Sequence, residues 1–331
     1  MKAAIYTRYG NADVVRLAEI PTPVPGPDEV LIRVHASTVT TADWRLRASA
    51  FPGLLWLPGR LMTGLWAPRN PVLGMEIAGE VVAVGQKVTK FRPGQRVFGF
   101  SGGGGHADFV CMTEDSALLP TPDQLSNAEA AALPFGAICA WEFLKDIAKV
   151  KPGQKVLIVG ASGGVGVYAV QIARALGAEV TAVASAGNAE LLRSLGAQHV
   201  LDYKRDDPSK ARAAYDLVFD TVGATRYPRM IRALKRRGLF LPLNFGGREL
   251  LHCLVAALIR GPRIRLHVNG DSAEKLARVI DLVKAGDIRP VIDRRFTLVD
   301  IRAAHQYVEG RHRKGAVIVD VASRPALHHA A

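Results

Sequence analysis

The chain has 331 residues, of which 49% are hydrophobic, and it carries a formal net charge of +13. That length supplies material for about two domains whose cores need no disulfide or metal to hold them together. The basic residues are dispersed rather than gathered in a tract with interleaved aromatic residues, which argues against a nucleic-acid-binding protein. The longest apolar run, residues 250–259, is too short to span a bilayer.

The cysteines indicate a reducing compartment. Cys111, Cys139 and Cys253 are widely separated and form no CxxC pair. Residues 1–6 lead directly into strand-like sequence, without the basic start and apolar stretch of a signal peptide. We therefore expect a cytoplasmic protein.

The first part of the chain predicts a β-rich domain, because short strand-like runs alternate with glycine and proline. These runs are 3–6, 14–17, 29–36, 77–85 and 96–100. Within this part, residues 51–66 are rich in Leu, Trp and Gly and have no clear period. They are compatible with a lid over an apolar substrate, with a contact to another subunit or a membrane surface, and with ordinary packing; we favour the lid.

From Ser126 onwards the pattern changes to alternating strands and helices. Ser126, followed three residues later by Glu129, has the spacing of a capping box and predicts a helix over 127–133. Further strands are predicted at 156–159, 179–183, 199–201, 216–219 and 239–243, and helices at 189–195, 227–234 and 272–285. This alternation predicts a doubly wound parallel sheet, after which a closing strand at 317–321 returns to the first domain.

Residues 155–176 are the most informative stretch for function. An apolar run leads into a glycine-rich turn, and apolar residues then recur at helical spacing. Such a turn presents free amide groups and the positive end of a helix dipole, which together suit a pyrophosphate. Ala161 stands where the first glycine of GxGxxG belongs, and glycine also serves tight turns for purely structural reasons, but the surrounding pattern favours a dinucleotide site. The predicted binding residues are Ser162, Gly163, Gly164, Val165 and Gly166.

The residues after the second strand of this domain predict the coenzyme. NAD-binding proteins carry an acidic residue there, which holds the ribose hydroxyls. This chain has no acid between Ala184 and Asn188, and Ser185 and Asn188 offer donors to a 2′-phosphate. We therefore expect NADPH. The alternative is that Ser185 and Asn188 only cap a helix.

Four segments together resemble the zinc-free, quinone oxidoreductase-like branch of the medium-chain dehydrogenase/reductase superfamily. They are the opening residues 1–10, the segment 74–81, the glycine turn, and residues 219–223. The resemblance covers nearly the whole chain and implies an α/β fold in which a Rossmann doubly wound parallel sheet is inserted in a GroES-like β-rich domain. It implies a substrate domain at 1–122 and 272–331, a cofactor domain at 123–271, and reduction of quinones or related activated carbonyl compounds with NADPH. We also expect a homodimer.

The resemblance extends to individual residues of the cofactor site. It adds Tyr203 to the 2′-phosphate site, while Gly187 stands where relatives often have a basic residue, so the preference for NADPH is expected to be weaker than usual. It assigns two strand-end segments to the nicotinamide riboside, although either is equally compatible with a simple turn; their residues are Val222, Gly223, Asn244, Phe245 and Gly246. The closing segment reads Lys314-Gly315 where relatives commonly have Gly-Lys, so no phosphate contact is predicted from it.

Comparison with zinc-dependent relatives predicts that this chain binds no metal. Where those relatives place zinc ligands, this chain has Thr40, Met75 and Phe135, none of which binds zinc as those ligands do. Without a Lewis acid, alcohol oxidation is disfavoured, whereas a quinone or enone spreads the developing charge over its own conjugated system. We expect an apolar or conjugated carbonyl substrate between the domains, lined by Thr40 and Trp44, to which no acid or base role is assigned.

Two other functions stay open. One is an NADPH-dependent reductase of α,β-unsaturated carbonyl or enoyl thioester substrates. Trp44 weakens this alternative, because enoyl reductase relatives often use a tyrosine near this position as proton donor and an indole N–H is not a useful acid. The other is a non-catalytic NADPH-binding protein with a regulatory or structural role.

Overall fold

The computed structural model describes residues 1–51, 53, 56–258 and 261–321. The strands in that part of the chain are β1 (Lys2–Ile5), β2 (Arg16–Glu19), β3 (Glu29–Thr38), β4 (Glu76–Val84), β5 (Arg96–Phe100), β6 (Phe109–Thr113), β7 (Leu118–Pro120), β8 (Lys155–Val159), β9 (Glu179–Ala184), β10 (His199–Asp202), β11 (Tyr215–Asp220), β12 (Leu234–Pro242), β13 (Arg263–Ile264), β14 (Ile292–Thr297) and β15 (Ala316–Asp320).

The α-helices are α1 (Thr41–Ala48), α2 (Trp56–Thr63), α3 (Asn127–Ala131), α4 (Pro134–Trp141), α5 (Gly166–Ala175), α6 (Ala189–Ser194), α7 (Tyr227–Met230), α8 (Gly247–Leu258), α9 (Ala273–Lys284) and α10 (Ile301–Glu309). Short 3₁₀ turns lie at Ala12–Val14, Ala186–Asn188, Pro208–Lys210 and Leu298–Asp300, and a π-helical turn at Glu142–Ile147 continues α4. None of these helices combines the length and apolar character that crossing a bilayer requires.

A six-stranded parallel sheet carries the glycine turn. Its strand order is β10-β9-β8-β11-β12-β13, so the chain starts at the centre, winds to one edge and then returns to build the other half. The residues from Val156 to Val159 are all buried, as expected for a central parallel strand that is covered on both faces. The predicted doubly wound sheet is confirmed, and its switch point, at which such sheets bind ligands, lies between β8 and β11.

The β-rich part is built on a seven-stranded sheet and on the separate antiparallel pair β1–β2. The order of the larger sheet is β14-β15-β3-β4-β5-β7, with β6 paired to β3. Strand β15 pairs with β3 in the register Ile318↔Thr38, so the closing strand returns to the first sheet as predicted. The strands of the parallel sheet are therefore inserted between two segments of this sheet, while the domain limits at 122 and 272 stay a prediction.

Several elements differ from the prediction. Helix α7 ends at Met230 rather than at 234, because β12 already begins at Leu234. Strand β2 starts only at Arg16, after the 3₁₀ turn at Ala12–Val14. Part of the stretch 51–66 forms α2, while residues 52, 54 and 55 lie outside the described part. The apolar run 250–259 lies mostly in α8, which the sequence pattern did not reveal as a helix, and residue 259 is not described.

One buried cluster joins the two halves. Ala36, Ala78 and Phe98 of the antiparallel sheet belong to the same apolar core as Leu133 and Ile158 beside the parallel sheet. Helix α9 contributes to this core and contacts both α4 and β7. Since burial of apolar area stabilises folding by roughly 25 cal/mol per Å², this shared core holds the two walls of the intervening cleft in a defined arrangement.

Candidate functional site

The glycine turn between β8 and α5 has one position that must be glycine and one that is open. A Cβ at Gly166 would lie 2.3 Å from the carbonyl oxygen of Gly160, which no side chain tolerates. A Cβ at Gly163 would meet only that same oxygen, at 3.4 Å. The amides of Gly164 and Val165 have no acceptor among the described residues. The turn is therefore a cradle of free donors with open space above it, which suits a phosphate.

The strand-end loop after β11 packs against this turn. A Cβ at Gly160 would lie 2.5 Å from Cγ1 of Val222, and the hydroxyl of Thr221 donates to the carbonyl of Val159 at 2.9 Å. The buried carboxylate of Asp220 shapes the loop by accepting from the amides of Val222 at 3.0 Å and Gly223 at 2.8 Å. Burial raises the pKa of Asp220, and these amide bonds oppose that rise. The structure thus brings Val222 and Gly223 to the glycine turn, as a shared cofactor site requires.

The residues expected to hold the 2′-phosphate divide into two groups. The side-chain amide of Asn188 donates to the hydroxyls of Ser162 at 2.9 Å and Ser185 at 3.0 Å. Both of its N–H bonds are therefore used inside the protein, and it orients the two serines. Tyr203 is 54% exposed and its amide bonds the carbonyl of Ala184 at 3.2 Å. The donors left for a ligand at this corner are the hydroxyls of Ser185 and Tyr203.

An arginine that sequence reasoning did not assign lies directly over the turn. Arg313 donates from Nη1 to the carbonyl of Val39 at 2.9 Å and from Nη2 to the hydroxyl of Thr41 at 3.0 Å. A Cβ at Gly164 would be 3.0 Å from Nη2, so the guanidinium faces the middle of the turn. Two residues further on, the amide of Gly315 donates to the carbonyl of Ser162 at 2.9 Å. The closing segment therefore does contact the glycine turn and brings a positive charge to it.

A small cavity between the two halves contains a buried carboxylate. Oε1 of Glu76 accepts from the amide of Phe135 at 2.6 Å, and Oε2 accepts from the hydroxyl of Thr38. Burial is the main cause that raises the pKa of Glu76 to about 7, whereas Arg313 lowers it. The cavity has about 20 Å³ of free space, which is room for about one water. Glu76 is thus a buried titratable group that lines the cavity between the two halves.

The two predicted pocket residues, Thr40 and Trp44, have different roles. The hydroxyl of Thr40 donates to Oδ2 of Asp43 at 2.6 Å and accepts from the Asp43 amide at 3.1 Å, which makes it the N-cap of α1. Thr40 lines the interdomain cavity, but its polar atoms are committed to the cap. Trp44 is half-buried, and its indole N–H has no partner among the described residues. Trp44 therefore has an unused donor, but it is not among the residues that line the interdomain cavity.

Asn244, predicted at the nicotinamide end, bonds across the cleft. Its Oδ1 accepts from Nη2 of Arg45 on α1 at 2.6 Å, and its amide donates to the carbonyl of Thr221 at 3.4 Å. The neighbouring Phe245 is half-buried, and the amide of Gly246 donates to Glu249 at 2.8 Å as α8 begins. The structure therefore places Asn244 between the two strand-end loops and α1, whereas Gly246 belongs to a helix start.

A larger cavity of about 260 Å³ lies in the β-rich part beneath α2. Its wall is mainly apolar with a few polar groups; the lining includes Tyr6, Asp43, Leu46, Met62, Thr63, Arg69 and Met75. Met62 and Thr63 come from α2 itself, and the turn after α2 is tied down where Tyr9 donates to the carbonyl of Gly64 at 2.7 Å. This arrangement is compatible with α2 as a cover over an apolar pocket, and the lid stays a prediction.

The donor set at the predicted zinc-ligand positions does not fit zinc. Thr40 and Phe135 line the small cavity, whereas Met75 lines the larger one. Glu76 already accepts two hydrogen bonds, and the guanidinium of Arg313 lines the same cavity as a fixed cation. Within the described ranges no three His, Cys, Asp or Glu side chains are grouped as metal ligands would be. Zinc prefers several thiolate, imidazole or carboxylate donors around one ion. This site offers a single carboxylate, that of Glu76, which already accepts hydrogen bonds from Phe135 and Thr38.

Comparisons with known proteins show the same two-part architecture. The profile of the alcohol dehydrogenase GroES-like domain matches residues 26–123, and that of a zinc-binding dehydrogenase matches residues 195–319. The chain is 34% identical to a zinc-type alcohol dehydrogenase-like protein of Schizosaccharomyces pombe, with 96% of this chain and 95% of the relative covered. It is 30% identical to a chloroplastic quinone oxidoreductase of Triphysaria versicolor, with 97% and 98% covered.

Solved structures show the same relationship. The quinone oxidoreductase of Coxiella burnetii superposes with a TM-score of 0.86 at 28% identity, covering 97% of this chain and 99% of the other. A mycobacterial protein solved in complex with NADPH gives 0.80 at 27% identity, covering 97% and 100%. The CurK enoyl reductase gives 0.84 at 25% identity, covering 96% and 99%. The predicted combination of a Rossmann sheet with a GroES-like domain is therefore confirmed.

Proposed function

Since the chain belongs to the medium-chain dehydrogenase/reductase superfamily, in its quinone oxidoreductase-like branch, we propose that it transfers hydride from NADPH to quinones or related activated carbonyl compounds. The broader statement, a nicotinamide-dependent oxidoreductase, follows from its relatives. The choice of NADPH, the quinone class and independence of zinc are our inferences from the site.

The observation that carries the proposal is the basic phosphate cradle. Free amides at Gly164 and Val165 and the guanidinium of Arg313 converge on one turn, with open space over Gly163. These groups would hold the pyrophosphate, the loops at Val222 and Asn244 would face the nicotinamide, and Ser185 with Tyr203 would meet the 2′-phosphate. The absence of an acid between Ala184 and Asn188 supports NADPH over NADH, as does the relative solved with NADPH.

The cofactor, when bound, supplies the hydride, and the residues of this chain supply orientation and exclusion of water. The shared core holds the parallel and antiparallel sheets on opposite sides of the cleft, and the bond between Arg45 of α1 and Asn244, just after β12, crosses it. In the part of the chain that the structure describes, no three His, Cys, Asp or Glu side chains are grouped to hold a metal that would polarise an alcohol. Acceptors that delocalise the developing charge themselves therefore suit this site better than simple ketones or alcohols do.

The substrate class is tested by measuring NADPH oxidation against quinones, enones and enoyl thioesters in parallel. The proposal expects the highest kcat/KM with quinones. Highest activity with enones or enoyl thioesters would favour the second candidate, which the likeness to the CurK enoyl reductase supports. Tight NADPH binding with no turnover of any acceptor would instead indicate a non-catalytic binding protein.

We also propose a homodimer in a reducing compartment such as the cytoplasm. Helix α8 exposes Leu250, Leu251, Leu254 and Leu258 beside β13, the edge strand of the parallel sheet. An apolar face next to an unpaired strand edge is typical of an interface. The three cysteines are free, which supports the reducing compartment. Sedimentation equilibrium of the purified protein tests the assembly, and a monomer at micromolar concentration would rule out this dimer.

A further inference from the structure

We propose that Arg45, Arg311 and Trp44 form an anion site at the substrate side of the cleft, so that the preferred hydride acceptor carries a negatively charged group such as a carboxylate or sulfonate. This inference rests on the proposed reductase function and specifies its substrate class. The three residues come from α1 and from the segment after α10, which meet at the cleft.

Two donors at this site are buried and unused. Nε1 of Trp44 and Nε of Arg45 have no hydrogen-bond partner among the described residues, although each is shielded from solvent. A buried donor without an acceptor is unfavourable, so each such group in a native structure needs an explanation, and a bound ion is one. Neither nitrogen can accept a hydrogen bond, so both require an acceptor on the ligand.

The charges at the site also favour an anion, although Arg311 itself is exposed to solvent. The guanidinium carbon of Arg311 lies 4.8 Å from the centroid of the Trp44 ring. Burial lowers the pKa of Arg45, and the nearby charge of Arg311 lowers it further. In the described part of the chain, no carboxylate lies within ion-pair distance of either arginine, and the one polar partner of Arg45 is the neutral amide of Asn244. Two neighbouring cations without a counter-ion are stabilised by a ligand of opposite charge.

The position of the site favours the substrate over the cofactor as the source of that charge. Arg313 and the free amides of the glycine turn already provide for the pyrophosphate, and Ser185, which follows β9, is tied to Ser162 of the turn through Asn188. Arg45 instead contacts Asn244, at the end of the site assigned to the nicotinamide. A charged group bound here would therefore be part of the molecule that accepts the hydride.

The test compares anionic with neutral ligands of the same shape. For binding, calorimetry with naphthalene sulfonate and naphthalene sulfonamide, neither of which is reduced, is performed on the complex with NADP⁺. For turnover, the acceptors are naphthoquinone sulfonate and the neutral menadione. We expect the sulfonate to bind about tenfold more tightly than the sulfonamide, as one charge-assisted hydrogen bond would produce. Arg311→Gln should abolish that difference, and Arg311→Lys should restore part of it.

Matched variants show which group produces the preference for the sulfonate. Trp44→Phe keeps an aromatic ring under Arg311 and removes the indole N–H together with the five-membered ring that carries it, so it should lower the sulfonate preference while the protein stays folded. Arg236→Gln removes an exposed charge at the start of β12 and should leave the preference unchanged. Equal binding of the two naphthalenes to the wild-type protein would overturn the anion site, whether or not any quinone is reduced. A loss of NADPH affinity in Arg311→Gln as large as its loss of sulfonate affinity would also overturn the anion site. That result would mean that Arg311 binds a charged group of the cofactor.

Discussion

The backbone amide of Phe135 donates a hydrogen bond of 2.6 Å to the carboxylate of Glu76. This bond joins α4, beside the parallel sheet, to β4 of the antiparallel sheet. The carboxylate is buried and its pKa is raised to about 7 from 4.5. Glu76 therefore links the two halves of the molecule. Its protonation state changes near neutral pH.

The first prediction is that Glu76→Gln removes a pH dependence of stability. Because the folded pKa lies above the unfolded value, the stabilising effect of protonated Glu76 is complete below pH 4.5 and is lost as the pH rises through 7. A shift of this size corresponds to about 3 kcal/mol. Glutamine keeps the neutral shape and can still accept from Phe135.

Urea unfolding at several pH values measures this effect. The free energy of unfolding of the wild-type protein should fall, relative to Glu76→Gln, between pH 5 and pH 8. Parallel curves for the two proteins would show that Glu76 does not titrate in the folded state near pH 7.

The second prediction concerns His305 and has the opposite sign. Both ring nitrogens of His305 are buried without a partner among the described residues, and its ring meets that of His106 edge-on at 5.5 Å. Burial, followed by the nearby His106 and Arg47, lowers the pKa of His305 well below 6.5. As the pH falls, His305 therefore takes up a proton in the unfolded chain before it does so in the folded protein. The free energy of unfolding consequently decreases as the pH falls below 6.5.

His305→Phe keeps an aromatic ring and removes this titration. We expect its free energy of unfolding to fall less steeply than that of the wild-type protein between pH 6.5 and pH 5, by up to ~1.4 kcal/mol per pH unit. Thermal or urea unfolding over that range is the measurement. An unchanged slope would mean that His305 is solvated or charged in the native protein.

The third prediction separates binding from folding within the glycine turn. Gly163 has open space where a side chain would project, whereas a Cβ at Gly166 would meet the Gly160 carbonyl at 2.3 Å. Gly163→Val should therefore fold with nearly unchanged stability and lose NADPH affinity by obstructing the cradle. Gly166→Val should destabilise the cofactor domain itself, by more than about 1 kcal/mol.

Fluorescence titration with NADPH and urea unfolding, both performed on each variant, distinguish the two effects. Full NADPH affinity in Gly163→Val would exclude the turn as the phosphate site. A stably folded Gly166→Val would show that the turn can rearrange.

Local sequence was enough to predict the elements that surround the cofactor site. The buried run at 156–159, the glycine turn and the helix that follows form one continuous signal, and the Ser126–Glu129 capping box is present with bonds of 2.9 and 3.3 Å. Some short or edge elements were missed: β13 has only two residues, and α8 exposes its leucines to solvent, so its apolar run did not look like the buried face of a helix.

The charged groups of the cleft could not be found in this way. Arg45 and Asn244 are 199 positions apart, and Arg313 meets the carbonyl of Val39 from 274 positions away. Only the fold brings such residues together, and no local pattern distinguishes Arg313 from the other basic residues at 311–314. The Lys314-Gly315 order predicted no phosphate contact from the closing segment, and the structure places Arg313 of that segment over the turn; that Arg313 holds the pyrophosphate is our proposal.

The fourth prediction concerns metal. Thr40, Met75 and Phe135 cannot replace zinc ligands, and Arg313 brings a positive charge to the cavity that Thr40 and Phe135 line. Purified protein should contain no stoichiometric zinc and should keep its NADPH-dependent activity in a chelator. Elemental analysis that finds about one tightly held zinc per chain would contradict this prediction, together with the reasoning against alcohol oxidation.

The fifth prediction concerns coenzyme choice. With no carboxylate between Ala184 and Asn188, nothing there repels a 2′-phosphate, and the hydroxyls of Ser185 and Tyr203 are available to bond it. Each neutral hydrogen bond contributes roughly 0.5–1.5 kcal/mol and each bond to a charged group roughly 1.5–3 kcal/mol. Two such contacts predict a preference for NADPH over NADH on the order of a hundredfold. Gly187 has no side chain that could bind the 2′-phosphate, so we expect a preference at the lower end of that range.

Ser185→Asp places a carboxylate where NAD-binding proteins have one and should repel the 2′-phosphate. We expect the ratio of kcat/KM for NADPH to that for NADH to fall at least tenfold, through a higher KM for NADPH. Ser185→Ala is the matched control, because it removes the hydroxyl without adding charge and should lower the ratio by much less. Asn188 holds the Ser185 hydroxyl at 3.0 Å, so Asn188→Ala should act in the same direction as Ser185→Ala without touching the ligand. If the wild-type protein uses both coenzymes equally and Ser185→Asp changes neither KM, the 2′-phosphate binds elsewhere.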